Sequence, residues 1–353
     1  MQERPMATIR MIDNISPIKG ADKIELAHVG GWQVVVRKDE YKIGDLAVYC
    51  EIDSWIPHSI APFLTKDGHY PKIYNEVEGQ RLKTVKLRGE ISQGLLLSMQ
   101  LLDTIKIDRA GAWCENDDVS EHLGIQKWEK PLAACLAGVA RGNFPTAVPK
   151  TNQERIQNIT RSIPEYIANS YTFEITEKVH GSSGTFYLDV DGLFHVCSRN
   201  LDLKETETNS FWKIARHFNI EQKMRDLDMF GMAIQGEVIG EGINGNQYGV
   251  TLDFLVFDMY DVMQAKYLSS EERWSKTQVL GLNHVPYIGQ LKFSDYFGYS
   301  VEDVTSSILS LSEGQSRINE SECEGFVFKC NEDPSISFKA VSNKWLLNGG
   351  EDQ

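Results

Sequence analysis

No run of apolar residues in this chain approaches the roughly 18 that a membrane span needs, and the opening MQERPMATIR lacks the apolar stretch of a secretory signal. A soluble protein of the cytosol or nucleus is expected. Cysteine is scattered, at positions 50, 114, 135, 197, 323 and 330, with no C-x-x-C pair and no histidine at zinc-ligand spacing, which argues against disulfides and structural zinc. Internal repeats are absent, and 28 Gly with 11 Pro are ordinary usage, which argues against collagen-like or disordered structure. Excess positive charge is also missing. The formal charge is -14, and it is unevenly divided: residues 1–150 hold 19 Lys+Arg against 20 Asp+Glu, leaving 17 against 30 in residues 151–353. An acidic half meets a polyanion only through a local basic track or a bound cation.

What is present is enough chain for two domains, 353 residues with 41% hydrophobic content. The first hundred residues read as a β-rich module: Ile24–Val29, Trp32–Arg37, Leu46–Ile52 and Leu95–Met99 are short and largely apolar, separated by Gly and Asp turns. That rhythm suits a small barrel. Arg81, Lys83, Lys86 and Arg88 within it form either a solvated strand face or a phosphate-tracking surface. Trp32, Tyr49 and Trp55 suit the barrel core better than base stacking. From 102 to 150 the chain reads as a linker region with little core of its own, including the small-residue run 133–140.

A second domain begins with TNQERIQNI, a helix-like segment whose Thr151 and Glu154 fit a capping box. Tyr171–Lys178 alternates as a half-buried strand, and Asp191-Gly192 signals a two-residue hairpin between Thr185–Val190 and Leu193–Ser198. Helical patterns at Asn209–Phe218, Ile220–Met229, Glu271–Leu280 and Val301–Leu311 mix with strands at Met232–Val238, Phe254–Tyr260, Gly325–Cys330 and Ser335–Val341. Strict βαβ alternation is missing. The fold class expected is therefore α+β on antiparallel sheets, with domains at 1–130 and 151–353 joined by a linker at 131–150.

Lys178 ends an apolar strand and leads into the polar turn Val179-His180-Gly181-Ser182-Ser183-Gly184. It is either a solvated strand-end charge or, partly desolvated against a sheet, a nucleophilic amine. Glu237 enters a glycine-containing loop at 240–245, through which backbone would approach a ligand closely. Glu324 opens an apolar strand, Lys339 lies within the last strand, and Arg199 closes the hairpin. Each alone suits a rim charge or an ion pair. Together they form a pattern.

The run Glu177-Lys178-Val179-His180-Gly181 resembles motif I, in its E-K-x-H-G form, of the covalent nucleotidyltransferases, the superfamily of polynucleotide ligases and capping enzymes. Later matches follow in order: Cys197-Ser198-Arg199, Gly236-Glu237, Phe254-Leu255-Val256-Phe257-Asp258, Glu324 to Lys329, and Ser337-Phe338-Lys339. A barrel placed before these motifs, with little chain after them, is similar to the fifth family of ATP-dependent RNA ligases. That resemblance implies an amino-terminal OB-fold ahead of a nucleotidyltransferase domain of antiparallel sheets flanked by helices. It also implies an intracellular, monomeric enzyme that seals 3'-hydroxyl/5'-phosphate breaks in RNA, with nicked duplex as partner. A GTP-using capping enzyme and a non-catalytic RNA-binding OB protein are the rival readings.

Site roles follow from the same resemblance. Lys178 would attack ATP and carry AMP, and with two cations beside it would be an amine near neutral pH. Glu324 would touch Mg²⁺ or Mn²⁺ mainly through water, and Lys339 would supply fixed charge to the α-phosphate. Arg199 and Glu237 would hold the ribose, Phe257 rather than Phe254 would stack on adenine, and Glu177 would line the purine pocket. His180, with Gly181 beside it, either touches the nucleotide or bonds within the turn. Arg155 would lie near the phosphates, and since Val341 occupies the position of the second motif V cation, that cation is either absent or supplied by Lys344.

Overall fold

A computed structural model describes residues 4–104, 112–129 and 139–349. The chain divides into two compact units, residues 1–131 and 132–353. Most of the run 133–140 lies outside the described residues. None of the described helices is long and apolar enough to cross a membrane.

In the first unit, Ala7–Met11, Leu46–Cys50 and Leu95–Ser98 form one antiparallel sheet, and Asn14–Pro17, Ile24–Val29 and Trp32–Arg37 another. Trp32, Val34 and Val36 are buried and alternate with the less buried Gln33, Val35 and Arg37, the period of two that lets one face of a strand meet a core and the other face water. Trp32, Tyr49 and Trp55 are all buried, so they are core rather than stacking platforms. The stretch 112–129 is not coreless, as its polar composition suggested. Val119, Leu123 and Ile125 pack with Ile9, Val48 and Leu97, because Val119 N–H donates to Ala7 and tucks that segment against the sheet.

The second unit pairs an eight-stranded with a five-stranded sheet. In the larger, Ser182–Leu188, Met232–Gly240 and Leu252–Asp261 are central and antiparallel. Helices Ser210–His217 and Ile220–Asp226 cover one face, where Trp212, Ile214 and Met224 pack on Phe186, Val238 and Phe254. In the smaller sheet the order is Glu154–Arg155, Ser337–Val341, Gly325–Cys330, Thr172–Glu177, Tyr287–Lys292. Its outer face carries Phe173, Ile175, Phe328 and Phe338 against helices Ile163–Ala168 and Val301–Leu311. Each sheet thus buries one face under helices. The opposite faces meet, since Lys329 of the smaller sheet is paired with Asp258 of the larger.

Three local expectations fail for physical reasons. The segment 151–159 is no capped helix: Glu154–Arg155 forms a short parallel strand beside Phe338 and Lys339, followed by 3-10 turns. Burial of Ile156 in the helix-side core overrides the local capping signal. The hairpin strands stop at Leu188 and Phe194, with five residues between rather than two, because the Asp189 carboxylate accepts from the N–H groups of Asp191 and Leu193. Residues 140–143, placed in a linker, form an edge strand beside Leu201–Leu203, and Phe144 and Val148 are buried.

One ionic cluster braces the sheet that carries Lys178. Glu174 and Arg273 are both fully buried and paired, with the Trp274 indole N–H and the Ser270 hydroxyl also donating to Glu174. Burial opposes the Glu174 charge, but Arg273 and these donors together hold its carboxyl below the ordinary range. Removing one partner leaves a buried charge uncompensated. Glu174→Ala is expected to destabilise the protein by about 3–5 kcal/mol in urea unfolding at pH 7. The folded value is lowered, so this contribution is present above the unfolded value of about 4.3 and disappears on acidification through the folded one. A difference that does not shrink below pH 4 would contradict the assignment.

Candidate active site

Lys178 follows the strand Thr172–Glu177, and its N–H donates to Gly325 at 2.8 Å, extending the pairing by one residue. Strand alternation puts Lys178 on the face of Glu174 and Thr176, opposite the Phe173 and Ile175 core. Register then sets Thr176, Val327, Lys339 and Arg155 abreast on four neighbouring strands, sharing that face. Arg155 is therefore a buried strand residue beside Lys339, and an exposed helix arginine is excluded.

The Lys178 ammonium pairs with Glu324 Oε1. Glu324 is fixed by backbone: its carbonyl accepts from Ser342 N–H at 2.9 Å, and the next residue is Gly325 at φ +145. A Cβ on Gly325 would fall 2.2 Å from the Ala340 carbonyl oxygen, so only glycine lets the two strands approach here. Burial opposes the charge on Glu324, but Lys178 and then His180 overcome it and hold the carboxyl at about 2. The second oxygen, Oε2, lies 3.6 Å from His180 Nδ1 and has no hydrogen-bond partner, although it is buried.

His180 is held from two sides, and one ring nitrogen is left over. Its N–H donates to the Tyr248 hydroxyl at 2.8 Å, its ring meets Trp345 edge-on at 5.3 Å, and its buried Nε2 has no hydrogen-bond partner. Gly181 follows because a Cβ there would lie 2.3 Å from the Val238 carbonyl oxygen and 2.9 Å from Glu237 Cγ. The turn thus lies directly against the strand carrying Glu237. Burial pushes the Glu237 carboxyl up to about 8, with Lys178 and Arg199 pulling it down and Glu324 adding repulsion. Arg199 is exposed and donates to Asn152 at 3.3 Å.

The two phenylalanines separate cleanly. Phe254 is fully buried in the helix-side core, whereas Phe257 is the unpaired bulge residue between Val256 and Asp258, part-exposed beside Val179, Tyr248 and Ile318. Glu177 is buried, and its carboxylate accepts from the Ser316 hydroxyl and from Arg317 N–H at 2.7 Å. It anchors the loop whose Ile318 packs with Phe257. The loop at 240–245 turns toward protein, with Asn244 donating to the Gly181 carbonyl. Lys344 does not take the place of a second strand cation: its side chain is 72% exposed on a helix and pairs with Glu322 at 3.1 Å. Tyr248, Trp345, Ser316 and Ile318 were missed, since nothing in their local sequence marks them.

Among the described residues no three His, Cys, Asp or Glu gather as metal ligands. A single buried carboxylate with one unpartnered oxygen does fit a hard cation that keeps most of its waters.

A model of an OB-fold domain matches residues 6–99, and one described as RNA ligase matches residues 171–345. A mutant of Naegleria gruberi RNA ligase in its apo form is 39% identical over 100% of both chains, with a TM-score of 0.87. Another mutant of that ligase, with ATP and Mn, is 38% identical over 99% of this chain and 100% of its own, also at 0.87. The same ligase with PPi is 39% identical over 99% of this chain and 100% of its own, at 0.86. No curated protein matches. The architecture is that of an OB-fold domain followed by a ligase domain, α+β with antiparallel sheets. The chain belongs to the RNA ligase family.

The raised Glu237 carboxyl has a consequence for the ligand-free protein. Its folded value of about 8 exceeds an unfolded value of about 4.3. Between these the folded state holds the extra proton, so stability falls as pH rises through the window. Glu237→Gln removes that loss. Its melting temperature relative to the parent is expected to climb from pH 4 to pH 9 in thermal scans, and a difference constant with pH would contradict the burial argument.

Proposed function

We propose that this protein is an ATP-dependent RNA ligase that seals a 3'-hydroxyl to a 5'-phosphate at nicks in duplex RNA or RNA-containing duplexes. The observation that carries the reading is one lysine and two carboxylates, Lys178, Glu324 and Glu237, meeting where the two sheets face each other. The similarity to a ligase solved with ATP, Mn and PPi supports the choice of nucleotide.

In the first step the Lys178 ammonium gives up a proton to solvent, leaves Glu324 and, as the free amine, attacks the α-phosphorus of ATP. A P–N bond forms and the P–O bond to pyrophosphate breaks. Lys339 and Arg155, abreast on the same sheet face, place fixed positive charge against the phosphates. Glu237 and Arg199 hold the ribose hydroxyls, and Phe257 stacks on adenine, with Ile318 held beside it through Glu177. Gly181 brings the turn close enough for His180 to reach the nucleotide. A divalent cation, Mg²⁺ or Mn²⁺, held through water at Glu324, would neutralise phosphate charge.

Next a 5'-phosphate oxygen attacks the lysyl-AMP phosphorus, breaking the P–N bond and giving RNA-adenylate. The 3'-hydroxyl then displaces AMP and closes the phosphodiester. Both are in-line displacements, so alignment and charge neutralisation are the protein's task.

Purified protein should take label from α-labelled ATP, not GTP, with either cation. It should then seal a nicked RNA duplex faster than the matched all-DNA nick. Lys339→Ala is expected to slow labelling about a hundredfold or more. Labelling by GTP alone, or no preference for RNA, would overturn the reading.

A further inference from the structure

The strands Val85–Leu87 and Glu90–Ser92 form a separate two-stranded ribbon in the first unit. Leu87 pairs with Glu90, so the turn is Arg88-Gly89 alone, with φ of +51 and +93. Positive φ at both turn residues is the two-residue hairpin that matches strand twist, and Asn or Gly is its usual first residue. A bulky arginine there is held in a left-handed conformation that costs free energy, and residues so held concentrate at binding sites.

The base of the ribbon is firmly tied. Val35 N–H donates to the Ser92 hydroxyl at 3.0 Å, the Gln33 amide to the Ile91 carbonyl at 2.8 Å, and Gln93 N–H to the Gln33 carbonyl at 2.9 Å. The tip stands clear: a Cβ at Gly89 would meet nothing within 4 Å. Lys86 and Arg88 are exposed, and neither side chain makes a hydrogen bond or ion pair with another described residue. Arg81, grouped with them by sequence, is different. It pairs with Asp53 at 2.6 Å and lies over the Trp128 ring at 3.9 Å.

We infer that this ribbon is a contact for the sugar-phosphate backbone of duplex RNA, with Lys86 and Arg88 on phosphates. The choice of RNA rests on the ligase reading. A sealing enzyme meets breaks in any sequence, and phosphate contacts position a protein without reading bases. The A-form minor groove is wide and shallow, and a ribbon set in it turns one face to each strand. Pairing puts Lys86 with Ile91 on one face, and on the other Val85 and Leu87, 43% and 44% exposed, across from Ser92 and Glu90. Two unpaired cations answer one strand's phosphates, and the apolar pair answers the other strand's riboses.

The test uses the full chain and a fluorescein-labelled nicked RNA duplex in EDTA, where no sealing occurs. Lys86→Ala with Arg88→Ala should raise the dissociation constant about tenfold or more at 0.1 M salt, and flatten the plot of log affinity against log salt by about two. Arg88→Gly suits the turn better than arginine, so it should melt no lower than the parent while flattening that slope by about one. Unchanged affinity and slope in both variants, or a parent with no measurable affinity for the duplex, would overturn the ribbon assignment. Labelling by ATP needs no RNA. Its absence from the parent would sink the ligase reading while leaving this binding result to stand or fall separately.

Discussion

The pairing of Lys178 with Glu324 is the interaction around which the rest of the second unit is arranged. Both are placed by adjoining strands of one sheet, through the Lys178 N–H bond to Gly325 and the Glu324 carbonyl bond from Ser342. A buried carboxylate is tolerated only beside positive charge. Here that charge sits on the nucleophile. On the proposed reaction the lysine loses it when AMP is attached, leaving Glu324 without its nearest cation. The same carboxylate that holds the lysine at rest then favours a bound divalent ion. A need for metal follows from the arrangement of charge without a dedicated ligand cage.

Holding the two sheets at working distance falls to other residues. Lys329 reaches across from the strand that Glu324 opens to Asp258, the neighbour of Phe257, and also lies 3.5 Å from the Phe257 carbonyl oxygen. Behind it, Glu174 and Arg273 extend the buried network, with Arg273 donating to His284 at 2.9 Å. Burial and the adjacent Arg273 push the His284 imidazole down to about 3, so it stays neutral and accepts that bond. Rigidity in these pairs suits a site whose chemistry depends on alignment.

The chemical centre was legible in the sequence because it is written in short, ordered motifs on strand ends. Lys178, Glu237 and Glu324 each suited a rim charge when taken alone, and it was their order along the chain in the family's motifs that singled them out. Period two separated Phe254 from Phe257, and the choice of Phe257 came from its place directly before Asp258 in the motif; the structure buries Phe254 and leaves Phe257 part-exposed at a bulge between Val256 and Asp258. Arg155 was misplaced on a helix because Thr151 and Glu154 mimic a capping box, whereas the partner that decides its conformation, Lys339, is far along the chain. Tyr248, Trp345 and Ser316 stayed hidden for the same reason: ordinary residues gain their roles from contacts that only the folded chain makes. Around Val119 and Phe144 polar composition misled, since a few apolar anchors suffice to bind a polar segment to a core.

The most direct measurement is peptide mass mapping after incubation with ATP and Mn²⁺. The account predicts one adenylyl group, on the peptide containing Lys178, removed when pyrophosphate is added. An adenylyl group on any other residue, or none while sealing proceeds, would contradict it.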